Sequence, residues 1–287
     1  MLQVNAKVPG FSEVPFFIHR VNDRYISERI RTKGAWEPFE STILWALLGP
    51  GEQVLDVGAN IGWHTVSAAL RVGPSGGVFA FEPDEDNFSL LSANIKANHL
   101  TWVHAKKTAL GRASGTATLT RSADNLGDHR VRSVGMESPT MAVADVVTVM
   151  ALDQYVEDNP AFDRDRLRVV KIDVQGFETE VMLGAARLLA SMPKRTAMFL
   201  EFDPQLLREQ SAGACAALLD IIASMKRTVF AIRRPIRRLE RVSVEQLRES
   251  ASSLHSPSVD LILVDPDQVS ELRAAVPWAS RMLTNWR

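Results

Sequence analysis

The chain has a single cysteine, Cys215, which excludes an internal disulfide and a metal centre built from several thiolates. Its neighbours Ala214, Ala216, Ala217 and Leu218 mark it as a small buried helix position, and a reducing compartment suits it. Neither sign of charge is in excess, with 33 Lys and Arg against 34 Asp and Glu and a formal net charge of −1. Without a basic surplus there is no general attraction to polyanions, so no nucleic-acid partner is expected. No apolar run is long enough to span a bilayer, and Met1 to Arg20 lack a continuous apolar stretch behind a basic start. The expectation is therefore no membrane partner and a cytoplasmic location. Internal repeats and low-complexity tracts are absent too. What is there, 287 residues at 46% hydrophobic, suffices for one large core or two modest ones.

The most informative stretch is Gln53 to Leu70, QVLDVGANIGWHTVSAAL. Val54, Leu55 and Val57 form the short apolar run of a strand covered on both faces, Gly58 and Gly62 punctuate its end, and apolar residues then return at helical spacing. Such a strand–turn–helix unit sets Asp56 beside unpaired helix N–H groups, which is a ligand position in open α/β sheets. A dinucleotide fingerprint would have glycine where Asn60 stands, because a pyrophosphate must approach the backbone there. A ligand with an amino-acid tail in place of the pyrophosphate tolerates Asn60; S-adenosylmethionine has such a tail. The next strand, Val78 to Pro83, ends in Glu82, at the distance where an acid meets a ribose in nucleotide-binding βαβ units. The plainer alternative makes Glu82 a helix-capping acid ahead of Asp84, Glu85 and Asp86.

Upstream, Met1 to Lys33 reads as an irregular or hairpin-forming extension, and Ala35 to Leu48 as a helix able to lie over the ligand turn. Its Glu37 is a candidate contact to cofactor or substrate, with a solvated helix carboxylate as the alternative for Glu37 or Glu40. Downstream, a strand is expected from Trp102 to Leu110 and another from Thr116 to Thr120. The polar stretch Arg121 to Ser138 then follows, long for a passive connection, and it concentrates Asp124, Asn125, Asp128, His129 and Arg130. His129 is attractive because histidine changes protonation near neutral pH. A buried strand, Val169 to Val174, delivers Asp173 to the same rim as Asp56 and Glu82, and Thr196 to Phe202 delivers Glu201. Arg227–Arg233 and Val259–Val264 are expected to close the sheet as an antiparallel pair, and the basic run Arg233 to Arg241 between them reads as a solvated surface. An anionic substrate or partner is its sharper alternative.

The series GAWEPFE, VLDVGANIGWHT, FAFEPDEDNFSLLSANIKAN, TALG, VVKIDVQGFETEVMLGA and MFLEFDP, in order over roughly residues 25–204, resembles the FkbM-type family of S-adenosylmethionine-dependent methyltransferases. The resemblance implies an α/β, doubly wound, mostly parallel seven-stranded sheet with one antiparallel strand, in a catalytic domain spanning 51–287 behind an extension and lid helix at 1–50. It implies S-adenosylmethionine as cofactor and O-methylation of a hydroxyl on a sugar, polyketide or other small natural product. On this likeness Asp56, Gly58, Asn60 and Gly62 hold the methionine end, Glu82 the ribose, and Asp173 lies near the transferring methyl. Asp173 is then the first candidate base and His129 the second, with Asn125 and Glu201 toward the substrate and no metal assigned. Gln175 departs from the acid common at its position in the family. The rival readings are a nucleotide-dependent oxidoreductase, a methyltransferase acting on nitrogen or RNA, and an inert cofactor-binding protein. The extension also offers a surface for a homodimer contact.

Overall fold

The computed structural model describes residues 1–21, 23–122, 125–132, 143–253 and 256–284. The extension opens with an antiparallel hairpin, β1 (Leu2–Val8) and β2 (Phe11–Ile18), followed by helices α1 (Ile26–Lys33) and α2 (Pro38–Leu47). Then β3 (Gln53–Val57), α3 (Trp63–Val72), β4 (Gly77–Phe81), α4 (Glu85–Ala97) and β5 (Val103–Lys106) alternate strand and helix. This alternation is the pattern that generates parallel sheets. Four short strands, β6 (Ala109–Leu110), β7 (Gly115–Thr120), β8 (Arg130–Arg132) and β9 (Val143–Met150), build a separate sheet in the order β6-β9-β7-β8. The chain then re-enters the central sheet with β10 (Leu167–Ile172), β11 (Ala197–Phe202), β12 (Thr228–Arg233), β13 (Arg238–Val242) and β14 (Val259–Val264).

The central sheet runs β13-β12-β14-β11-β10-β3-β4-β5. β3, β4 and β10 are buried along their whole lengths, as near-continuous apolar runs covered by helices on both faces require. The order reverses between β3 and β10, which pair in parallel with Asp56 beside Lys171. A crevice opens outside the strand ends at such a reversal, and that is where ligands bind in open α/β sheets. β14 runs antiparallel to both β11 and β12, as expected, and β13 adds an eighth strand at the edge. The basic run between β12 and β14 is therefore a hairpin rather than a plain surface loop. The stretch from Trp102 to Leu110 divides into β5 and β6, because a tight turn from Lys106 to Thr108 carries the chain out of one sheet and into the next. Part of the long polar stretch is strand β8; Asp124 lies outside the described residues.

The extension is fixed to the sheet domain by one asparagine in particular. Asn94 of α4 accepts from the Phe17 N–H at 2.5 Å and donates to the Phe17 and Ile61 carbonyls at 2.9 and 2.8 Å. Val8, Phe16 and Ile18 are buried in the same apolar cluster as Val54, Ile61 and Val66, so the hairpin and the ligand turn share a core. Among the described residues no helix is long and apolar enough to cross a membrane.

Candidate active site

The turn after β3 is shaped by three backbone requirements. Gly58 has φ +84°, and a Cβ there would lie 1.8 Å from the Asp173 carbonyl oxygen, so only glycine lets β3 and β10 meet at this point. The Gly58 and Ala59 N–H groups both donate to the Phe81 carbonyl, at 3.0 and 2.9 Å, and Asp173 N–H donates to the Val57 carbonyl at 3.0 Å. Three strand ends are thus tied into one rim. Asn60, at φ +50°, donates its backbone N–H to Glu82 Oε2 at 2.8 Å, while Glu82 Oε1 accepts from Asp84 N–H at 2.9 Å. Burial pushes Glu82 up to about 8, against those two N–H bonds.

These ends border a cavity of about 490 Å³, within the range that takes a cofactor-sized molecule. Gly58, Ala59, Asn60 and Glu82 line it on the turn side, and Thr108 to Leu110 extend it past the end of β4. Asn125 and His129 come from the loop before β8; Lys171, Asp173 and Gln175 come from the end of β10 and Glu201 from β11. Trp36 and Glu37 roof it from the extension, and Arg233, Arg234 and Asp260 close the far end. Eight of the ten expected site residues, Glu37, Gly58, Asn60, Glu82, Asn125, His129, Asp173 and Glu201, therefore share this cavity.

Asp56 and Gly62 do not line it. Asp56 turns its Oδ2 to the Thr65 hydroxyl at 2.5 Å, which fixes the strand to helix α3, and its buried Oδ1 has no hydrogen-bond partner among the described residues. Gly62 begins α3 at φ +90°, and a Cβ there would meet Leu91 Cδ1 at 2.7 Å; it is a packing glycine. The Asn60 amide, expected to hold a ligand's tail, donates to the Leu126 carbonyl at 3.0 Å, as does the Asn87 amide at 3.0 Å. Together they strap the Asn125–Asp128 turn over the cavity. Asn125 itself accepts from Gly127 N–H at 3.1 Å within that turn. His129 is buried beside Asp84, at 3.9 Å, and accepts from Ser122 N–H at 3.3 Å. Burial lowers its pKa, and it belongs with Asp84 and Arg121 at the end of β4, not with Asp173.

The polar end of the cavity is built from groups far apart in the chain. Lys171, in a strand whose every position is buried, donates to Asp173 Oδ2 at 2.7 Å. Burial alone would raise Asp173, but the Lys171 charge and the bonds from Lys171 and Gln175 hold it at about 2. The Gln175 amide donates to both Asp173 Oδ1 at 2.8 Å and Glu201 Oε2 at 2.9 Å. Glu201 is driven well above the carboxylate range by burial and then by Asp173 and Glu178. Glu178 is a turn-former: its Oε1 accepts from Val174 and Gly176 N–H groups at 3.0 and 3.2 Å.

Arg234 reaches from the β12–β13 turn to three carboxylates: Glu37 Oε1 at 2.5 Å, Glu40 Oε2 at 3.4 Å, and Asp260. His64 Nε2 stands 3.4 Å from Glu37 Oε2, and burial together with Lys171 lowers its pKa to about 3, so it is neutral. Glu37, Glu40 and His64 are spaced as metal ligands are, but the Arg234 guanidinium already supplies the cation there. Sequence reasoning missed Lys171, His64, Arg234 and Asp260. Lys171 and Asp260 had a visible signal, since each interrupts an apolar buried strand, VVKI or VDLILV.

A doubly wound sheet with a glycine turn at its order reversal and an acid at the end of the adjacent strand defines a nucleoside-binding α/β protein with the strand order of class I methyltransferases. The sequence profile of the methyltransferase FkbM domain matches residues 56–230, and the chain belongs to that family. It is 30% identical over 158 residues to the hexuronic acid methyltransferase AglP of Haloferax volcanii, covering 54% of this chain and 55% of that protein. It is 27% identical over 154 residues to the methyltransferase sdnD of Sordaria araneosa, covering 46% of this chain and 59% of that one. The match thus spans little more than half the length of these curated relatives. Among solved structures, the O-methyltransferase from Bacillus cereus in complex with SAH aligns over 80% of this chain and 83% of that chain, at a TM-score of 0.46 and 13% identity.

S-adenosylmethionine is the family's cofactor, and the residues present fit it. Glu82 offers the remaining lone pairs of both carboxylate oxygens to a ribose diol, the Gly58–Ala59 backbone leaves room for the amino-acid tail, and Asp173 offers negative charge toward a sulfonium.

Proposed function

We propose that this protein is a methyltransferase that moves the methyl group of S-adenosylmethionine onto a hydroxyl of a small polyhydroxylated acceptor, a sugar or other natural product. The cofactor supplies a methyl group on a positively charged sulfur, so the protein's share is to align the acceptor, exclude water and take the hydroxyl proton. The names of two relatives, one a hexuronic acid methyltransferase, support the reaction class. The observation that carries the reading is the pair Asp173 and Glu201, bridged by the Gln175 amide beside the cofactor turn. Both Asp173 oxygens already accept a hydrogen bond, and its low pKa makes it a poor proton sink but a fixed anion. Glu201 Oε1 takes no hydrogen bond among the described residues, and Glu201 lines the cavity.

Glu201 is accordingly the residue we assign to the acceptor hydroxyl. Once ionised, its raised proton affinity suits it as base better than Asp173, because a general base works best when its pKa is near the working pH. Asp173 orients and electrostatically supports this end. A screen of hydroxylated acceptors with labelled S-adenosylmethionine tests the proposal. Label transferred to oxygen in the wild type, and lost in Glu201→Gln with S-adenosylhomocysteine binding retained, is the expected result; label on nitrogen, or none, would overturn it.

A further inference from the structure

The polar lobe of the cavity is rich in acid. Glu37, Asp173, Glu201 and Asp260 line it, the buried Glu40 shares their Arg234, and the two cations among them are already committed, Lys171 to Asp173 and Arg234 to Glu37, Glu40 and Asp260. An anionic group pushed into this end finds both cations already paired and meets the ionised Asp173 in a low-dielectric setting, so the part of an acceptor that enters is neutral and hydroxylated. Carboxylates are acceptors, and hydroxyls are the donors they lack.

The rim has the opposite character. In the β12–β13 hairpin, Arg233 lies directly across from Arg238, which sets both side chains on one face of the ribbon. Like charges opposite one another destabilise a strand pair, and Glu240 relieves only one of them, accepting from Arg233 Nε at 2.7 Å. Arg237 sits at the turn with φ +49°, a left-handed conformation that disfavours a non-glycine residue. The Arg237 and Arg238 side chains are exposed and make no ion pair or hydrogen bond among the described residues. Arg233 and Arg234 of the same turn line the far, polar end of the cavity. Two guanidiniums with no partner among the described residues thus adjoin the arginines that close the cavity's polar end.

We propose that the acceptor is two-ended: its hydroxylated head enters the cavity, and Arg237 and Arg238 hold a phosphate or pyrophosphate ester at its other end. A dianion matches two guanidiniums, whose planar forks fit phosphate oxygens bidentately; a single carboxylate would leave one charge unmet. This rests on the hydroxyl-acceptor reading of the site and adds the chemistry of the far end. The ester belongs either to a nucleoside diphosphate or to a lipid phosphate.

The test is calorimetric titration of the full chain with inorganic pyrophosphate at low ionic strength, for wild type and Arg237→Gln/Arg238→Gln, with S-adenosylhomocysteine as a separate titrant. Pyrophosphate affinity falling by at least about tenfold in the variant, with S-adenosylhomocysteine affinity unchanged, is the expected result. No pyrophosphate binding by the wild type, or equal binding by both proteins, would overturn the proposal. Loss of S-adenosylhomocysteine binding in the wild type would strike the cofactor reading instead, leaving the pyrophosphate result to stand alone. Arg238→Glu gives a second readout, because it replaces a like-charge cross-strand pair with an opposite one. Its melting temperature in anion-free buffer is expected to hold or rise while pyrophosphate binding is lost; a fall in melting temperature with binding retained would contradict the rim assignment. Uridine diphosphate binding tighter than pyrophosphate would identify the nucleotide source, and flotation with phosphatidic acid vesicles, but not phosphatidylcholine vesicles, the lipid source.

Discussion

Gly58→Ala tests how tightly the cofactor turn is built. The added Cβ would lie 1.8 Å from the Asp173 carbonyl oxygen and 2.9 Å from its carbon, both backbone atoms that no rotamer change can move. Either β3 and β10 separate at their carboxyl ends or φ leaves +84°. The left-handed conformation alone costs a non-glycine residue about 1–2 kcal/mol. Separation sacrifices the Asp173 N–H to Val57 carbonyl bond, about 1 kcal/mol net, and disturbs the packing beneath it. The sum is about 3 kcal/mol, which for a domain of this size lowers the melting temperature by roughly 6–12 °C. Because Asp173 moves with β10, S-adenosylhomocysteine binding should weaken as well. Differential scanning fluorimetry and calorimetric titration of the same preparation read both effects. A variant that melts within about 2 °C of the wild type and binds the ligand equally would refute the reasoning, since about 3 kcal/mol cannot hide in so small a shift.

Other substitutions probe the buried charges. Glu82 has its folded-state pKa raised to about 8, so the stability it contributes is present below its unfolded value and is lost as pH rises toward 8. Glu82→Gln removes that loss, and the stability gap between wild type and variant, read by urea denaturation, should narrow from pH 5 to pH 8; a constant gap would contradict the raised pKa. Arg234→Gln leaves Glu37, Glu40 and Asp260 without their cation. Because Arg234 is half-exposed the cost should be about 1–2 kcal/mol, less than for a fully buried pair. It should grow with pH as the three acids ionise, and melting curves at pH 5 and 8 check this. For Glu201, whose pKa is also raised, the methyl-transfer rate should increase with pH as the proton leaves. Glu201→Gln should abolish that limb and slow the reaction about 10²–10⁴-fold, and an unchanged pH–rate profile would remove Glu201 from the proton path.

The parts of the site legible in the sequence are those that depend on neighbours in the chain. The strand, glycine turn and helix from Gln53 to Leu70 identify themselves through local periodicity and backbone need, and Glu82 follows from the spacing of the next strand. The partners of those residues were not legible. Asp56 stands where the spacing places a ligand contact, and the first turn of α3 brings Thr65 to its oxygen. His129 is the second candidate base on grounds of residue type, yet the fold sets it beside Asp84. Arg234 reaches Glu37 across 197 positions, and no periodicity reports an ion pair between a hairpin turn and a helix start that far apart. Its basic surroundings read as solvated because a dense run of arginines, Arg233 to Arg241, is usually a surface feature. Lys171 is the instructive case, a lysine inside a strand with every position buried, which demands an anion at its tip. Asp173 supplies that charge, and Asp56 is the register neighbour of Lys171 on β3.

The most direct measurement is calorimetric titration of the purified protein with S-adenosylhomocysteine, S-adenosylmethionine and NADH, repeated for Glu82→Ala. Binding of the two sulfur ligands, weakened at least about tenfold when Glu82 can no longer accept the ribose hydroxyls, is the predicted result. Binding of NADH alone, or of none of the three, would contradict it.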